Sequence, residues 1–209
     1  MKKLQEFLND YANSDKKIRI EANNLPVIFR DEQIDFMQDA GFDTVELNEY
    51  QFGVLGEKFY EKVIEVLEER GFDIKYSYFG EGCGSTGLER IRNYDFTKHP
   101  SFWCIHPWDE PGYKKYDELK SVFEYIEANV PEDLFLVSCL FPCYADKNQI
   151  GAEYEEYVDK YLRYVLENMK HGKAIECDYY PFFHDEYNRS VMMDTWVYNH
   201  IDEIRLVTA

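Results

Sequence analysis

Short apolar runs alternate along the chain with longer stretches in which apolar residues recur every three or four positions. The runs are Ile18-Arg19-Ile20, Thr44-Val45-Glu46-Leu47, Phe72 to Tyr78 (apolar or aromatic at 72, 74, 76 and 78), Phe102 to Ile105, Leu134 to Val137, and Ala174 to Cys177. Between them, Leu119, Val122, Phe123 and Ile126 fall at i, i+3, i+4 and i+7, and Tyr154, Tyr157, Val158, Tyr161, Leu162 and Val165 keep that period for three turns. Phe59, Val63 and Leu67 do the same inside an acidic stretch over 57–70, whose charges read as a solvated face. Period two predicts strands and period 3.6 predicts helices. Gly41, Gly71 and Gly172 stand where helices would end, and Asp31 and Asp117 where they would begin. The pattern 190–206 fits one more helix. Residues 1–14, with Leu4, Phe7, Leu8 and Tyr11 on one face, fit an amphipathic helix ahead of the first strand.

Strand, helix, strand, repeated, predicts a parallel sheet with helical crossovers. Strand starts lie roughly 26 to 40 residues apart, one βα unit each. An open doubly wound sheet and a TIM-type (β/α) barrel both satisfy this order. No Gly-x-Gly-x-x-Gly or Walker loop follows a strand. The glycine-rich "GEGCGSTG", 80–87, has neither spacing and reads as a loop on the active face. Polar and aromatic residues gather instead at the strand ends: Asn48-Glu49, Tyr78 to Glu81, Trp108 to Glu110, Pro142 to Tyr144, Asp178 to Tyr180. A barrel builds its active site there, so the expected fold is an α/β barrel forming a single domain over 1–209. Six strands fall short of the eight a closed barrel needs. The expectation is therefore an incomplete barrel, whose open seam implies self-association or a further C-terminal segment.

With 45% hydrophobic residues the chain can build a core, and no apolar run approaches the length of a membrane span. A net charge of -18 repels phosphate backbones and anionic lipid, so neither nucleic acid nor membrane is an expected partner. The N-terminus lacks the apolar core of a signal peptide. Five cysteines without a Cys-x-x-Cys pair fit a reduced, cytoplasmic protein. Cys139, Cys143 and Cys177 match no standard zinc spacing, and no metal or cofactor is expected. Aromatic residues reach 17%, enough for large core side chains and also for faces on which sugar rings stack.

Candidate chemistry centres on "CIHPWDEPG", 104–112, where the fourth apolar run ends in two adjacent acids, Asp109 and Glu110, behind Trp108 and ahead of Pro111. Neighbouring carboxylates disfavour double ionisation, which suits one of them to a general acid role. Adjacent residues of a strand point to opposite faces, so both acids reach one pocket only if the strand has ended by Pro107 or Trp108. "HPSFWCIHPWDEP", with "AGFDTVELN" upstream and "ECDYYPF" downstream, resembles the (β/α)8 glycoside hydrolase superfamily over roughly residues 18–185. "LFLVSCLFPCYA", "YEEYVDKYL" and "DYYPF" are similar to the fifth and sixth strands of uncharacterised bacterial members.

The resemblance implies a glycan substrate, with Glu110 as general acid/base and Asp109 assisting. In hexosaminidase-like families such an Asp-Glu pair works with the substrate's own 2-acetamido oxygen as nucleophile, which requires no acid on a seventh strand. Asn48, Glu49, His106, Trp108, Asp178, Tyr179 and Tyr180 are the expected substrate contacts. Each also has a plainer reading as a strand end, a satisfied strand histidine or an exit turn. Two other classes stay open. "GFDTVELN" also resembles the second strand of xylose-isomerase-like barrels, which would make ligands of Glu46 or Glu49, His106, Asp109 or Glu110, and Asp178. Six strands without an evident nucleophile also fit a non-catalytic sugar-binding remnant.

Overall fold

The computed structural model describes residues 21–22, 30–48, 56–78, 84–167, 169–173, 176–177, 182–184 and 190–192. The chain divides into two compact units, Arg19–Cys177 and, from its two ends, Met1–Ile18 with Asp178–Ala209. In the second unit the described residues are the strands β9 (Phe182–His184) and β10 (Ser190–Met192), paired antiparallel with Phe183 opposite Val191. The helix expected over 190–206 therefore begins as a strand. A short apolar run such as Val191-Met192 reads either way until a partner is known, and the partner here is the run at 182. The helix expected over 1–14 lies outside the described residues.

The first unit is an α/β fold of the TIM-type barrel class. Its elements are β1 (Glu21–Ala22), α1 (Asp31–Asp39), β2 (Thr44–Asn48), α2 (Glu57–Glu69), β3 (Asp73–Ser77), α3 (Gly84–Asn93), β4 (Phe102–His106) and α4 (Tyr116–Glu127). They continue with β5 (Phe135–Leu136), β6 (Cys139–Leu140), α5 (Lys147–Ile150), α6 (Tyr154–Lys160, extended by a π-turn over Tyr161–Val165), β7 (Gly172–Lys173) and β8 (Glu176–Cys177). All pairings are parallel and run in chain order, β1-β2-β3-β4-β5-β7, with β6 and β8 prolonging the last two strands. Four of the expected strands sit where the alternation placed them. The first is described at Glu21–Ala22, just past 18–20, and the sixth starts at Gly172, ahead of 174.

Helix ends follow local chemistry. Gly41 and Gly71 take φ of +86° and +79° directly after α1 and α2, a region where a side chain is strained. Asp31 and Asp117 fall inside the first turns of α1 and α4, where a negative charge meets the positive end of the helix dipole, with Arg30 and Lys115 in the cap positions. The glycine-rich stretch is not all loop, because α3 starts at Gly84.

Each central strand has one apolar and one polar face, and both are buried. Val45, Leu47, Ile74, Tyr76 and Ile105 join Ile34, Ile64, Leu67, Phe123, Ile126 and Tyr161 of the helices in one hydrophobic core. Thr44, Glu46, Lys75, Ser77, Cys104 and His106 are equally buried on the other face. That face curls inward. Lys75 of β3 contacts Glu176 of β8 at 2.7 Å, although three strand spacings in a flat sheet would hold them about 14 Å apart. The interior that a barrel normally fills with branched aliphatic side chains is polar here.

Candidate functional site

β4 ends at His106, and Pro107 and Trp108 continue without strand pairing, so the strand has stopped before the two acids. The exit is then fastened to the neighbouring strand. Asp109 bridges Cys139, and the Glu110 N–H donates to the Cys139 carbonyl at 2.9 Å. Ser138 Oγ donates to the Trp108 carbonyl. Tyr157 of α6 donates its hydroxyl to the Pro111 carbonyl at 3.0 Å and accepts the Phe141 N–H at 3.1 Å, joining the exits of the fourth and fifth strands. Tyr161 accepts the Ser138 N–H at 3.2 Å. Tyr157 and Tyr161, two of the tyrosines that recur at helical spacing, thus also set the path of two loops.

Glu110 sits at the centre of this arrangement with φ of +47°, the one non-glycine residue in the left-handed region among those described. Asp109 is exposed and Glu110 half-buried, whereas Phe102, Cys104, Ile105 and His106 of the strand before them are buried.

Beneath the turn lie two polar layers. In the upper one, His106 Nδ1 meets Ser77 Oγ at 3.2 Å, and Nε2 meets the Trp108 carbonyl at 3.0 Å and the Cys139 amide at 3.2 Å. Burial, and then the Lys75 charge, push its pKa down, so the ring is held neutral. Asp109 is close enough to act on it in the opposite direction. Asn48 is buried at the matching level of β2, opposite Ser77.

The lower layer is ionic. The Lys75 ammonium lies 3.1 Å from Glu21, 3.2 Å from Glu46 and 2.7 Å from Glu176. Burial opposes its charge, but Glu176, Glu46 and Glu21 raise its pKa, so it stays protonated. Burial likewise opposes ionisation of Glu46, while the Lys75 charge holds its pKa down. Cys104, opposite Lys75 on β4, has its thiol pushed well up by burial and is no nucleophile.

Of the expected contacts, the structure brings His106, Asp109, Glu110 and Asn48 to one end of the sheet. His106 holds backbone and hydroxyl groups within the fold. Trp108 is buried in the hydrophobic core, 4% exposed, and offers no open face to a sugar ring. Glu49, Asp178, Tyr179 and Tyr180 lie outside the described residues. Of the metal-ligand set drawn from the isomerase-like resemblance, Glu49 and Asp178 lie outside the described residues. Glu46 is engaged by Lys75, whose ammonium occupies the space between the carboxylates, and no trio of ligating side chains stands together among the described residues. Sequence reasoning missed Glu21, Lys75 and Glu176 altogether. The available signal was a charged residue inside or directly after a β-like run: Glu21 after 18–20, Lys75 within 72–78 and Glu176 within 174–177.

The fold defines an α/β protein of the barrel class. No family model matches the chain, and neither does any curated protein sequence. Among solved structures it is similar to a dihydrodipicolinate synthase described as the first monomeric variant, at 11% identity and a TM-score of 0.45, over 71% of this chain and 51% of that one. It is also similar to the endoglucanase Cel5A of Pseudomonas stutzeri, at 11% identity and a TM-score of 0.43, over 86% of this chain and 61% of that one. The chain thus spans about half the length of the first and three fifths of the second. No helix among the described residues is long and apolar enough to cross a membrane.

Proposed function

We propose that this chain is a glycoside hydrolase-like protein acting on a glycan, with Glu110 as general acid/base and Asp109 assisting it. The observation that carries this reading is the backbone of Glu110. A left-handed conformation costs a non-glycine residue about 1–3 kcal/mol, persists only where the surroundings impose it, and clusters at functional sites. Here hydrogen bonds on both sides impose it, at the strand end where a barrel places its chemistry. A fixed carboxyl can deliver a proton to a leaving oxygen at a set distance. Asp109, adjacent to it, would orient a 2-acetamido group as the internal nucleophile. Glu49, Asp178, Tyr179 and Tyr180 are the proposed sugar contacts, and Trp108 leaves that set.

The test is a panel of aryl glycosides with and without the 2-acetamido group. N-acetylhexosaminides should be cleaved and plain hexosides should not. Glu110→Gln should lower kcat on the order of 10²–10⁴-fold, the usual worth of a positioned acid/base, and less on substrates with good leaving groups. An equal loss on every substrate would remove Glu110 from the acid role. Binding of sugars without cleavage of any would select the non-catalytic reading.

A further inference from the structure

Among the described residues, the ionic layer inside the sheet holds three carboxylates and one cation. Three carboxylates, Glu21, Glu46 and Glu176, surround Lys75. With all three ionised the group would carry two uncompensated charges around Lys75 and Glu46, which are 2% and 4% exposed, with Glu21 at 21% and Glu176 at 36% nearer to solvent. Buried charge left unpaired is among the costliest features a fold can hold. His106 cannot relieve it, because burial and Lys75 keep that ring neutral. Cys104, also facing the cluster, has its thiol pushed up and adds no charge.

Hydrogen bonding leads to the same place. Lys75 donates to Glu21 Oε1 at 3.1 Å and to both oxygens of Glu176 at 2.7 and 2.9 Å. Ser77 serves Glu46. Glu46 Oε1 is buried and receives no hydrogen bond from any N–H or O–H group among the described residues. Yet Glu21 Oε1 and Glu46 Oε2 lie 3.1 and 3.2 Å from the same ammonium, so the two carboxyl groups stand side by side. Two ionised carboxylates have no hydrogen to share, and a carboxylic acid beside a carboxylate has one.

We propose that Glu21 and Glu46 form a proton-binding site in the barrel interior, a carboxylic acid–carboxylate pair that shares one proton with Lys75 as counter-ion. The proton halves the uncompensated charge and adds a donor to a cluster in which Glu46 Oε1 has none among the described residues. It resides chiefly on Glu21, the pair's more exposed member at 21% against 4%, which lets the proton exchange with solvent. Burial, only partly opposed by Lys75 and reinforced by Glu46 and Glu176, raises the Glu21 pKa to about 7. The site is separate from Asp109 and Glu110 and stands whether or not the chain cleaves a glycan. It is also connected to their turn, since Glu46 holds Ser77, Ser77 meets His106, and His106 meets the Cys139 amide whose carbonyl holds Glu110.

The sign of the linkage follows. Between pH 4.5 and about 7 the folded chain holds a proton on Glu21 that the unfolded chain has lost. Stability therefore falls as pH rises through that window and levels off above it. Glu21→Gln places an amide N–H where the acid proton was and removes the titration. Urea unfolding at pH 5 and pH 8 is expected to show the wild-type folding constant dropping by an extra factor on the order of tens to a hundred relative to Glu21→Gln. Infrared spectroscopy of the folded wild type should show the C=O band of a buried protonated carboxyl at pH 6 that is gone at pH 8.5 and missing in Glu21→Gln. Should that variant fail to fold, Glu46→Gln must abolish the same band. The proposal is overturned if the wild type shows no such band at pH 6, if the band survives both substitutions, or if Glu21→Gln keeps the wild-type pH dependence.

Discussion

Glu110 holds its left-handed backbone because Cys139 takes its N–H and Tyr157 fixes the carbonyl of the next residue. Strain of that kind is testable apart from any activity. Glu110→Ala and Glu110→Gly remove the same carboxylate, and only alanine keeps a Cβ. A Cβ in the left-handed region costs about 1–2 kcal/mol, and the extra freedom of glycine in the unfolded chain returns part of it. Glu110→Gly should therefore be more stable than Glu110→Ala by about 0.5–1 kcal/mol, read as a higher urea midpoint at unchanged slope. Alanine equal to or better than glycine would mean the turn is relaxed and would take away the main support for the functional reading. The acid pair itself was legible in the sequence, because an apolar run ended directly before it. Its backbone conformation was not. Left-handed positions announce themselves by Gly, Asn or Asp, and the Glu here is held by groups 29 and 47 residues away in sequence, Cys139 and Tyr157.

At the scale of elements, periodicity located α2 but not its buried stripe, which is Tyr60, Ile64 and Leu67, while the expected Phe59 is 62% exposed and Val63 half-buried. The polar side of α2 was read as solvent-facing, and two of its acids depart from that. Glu61 and Glu68, seven residues apart and so on one face, bind the two ring nitrogens of the buried His99 at 3.0 Å each. Glu68 also accepts the Ser101 N–H at 3.3 Å, so the helix is tied to the entry of β4. No local pattern links a histidine before a strand to a helix some 30 residues upstream. Burial disfavours the charged ring, but Glu68 and Glu61 outweigh it and raise the His99 pKa. This clamp therefore contributes fully below the ordinary imidazole pKa and fades as pH rises through the raised value. His99→Gln should cost about 1.5–3 kcal/mol at pH 5.5, the range for hydrogen bonds to charged groups, and clearly less at pH 9. Chemical denaturation of both proteins at both pH values decides it. A penalty that does not shrink at high pH would show that the ring acts through packing rather than charge.

For the molecule as a whole, the apolar half of each strand was readable and the interior half was not. Glu21, Glu46, Lys75 and Glu176 each look like the solvent-facing member of an alternating strand. Only the curl of the sheet turns them toward one another, across 155 positions of chain. That closure makes Lys75 the residue on which the charge balance of the interior depends. Lys75→Met keeps most of its volume and removes the only cation among three carboxylates. Breaking a buried ion pair from one side typically costs about 3–5 kcal/mol, because the partners are left buried and unpaired. The loss should be greatest at pH 7.5 and smaller near pH 5, since carboxylates without their cation take up protons more readily and acid relieves their repulsion. Combining Lys75→Met with Glu21→Gln, Glu46→Gln and Glu176→Gln should recover much of the stability, because the four neutral groups can hydrogen-bond or pack without uncompensated charge. Urea midpoints for the single and the combined variant at the two pH values measure all of this. A Lys75→Met protein within about 1 kcal/mol of wild type at pH 7.5, a change typical of a solvent-exposed pair, would mean that water reaches the cluster and that the sheet does not enclose it.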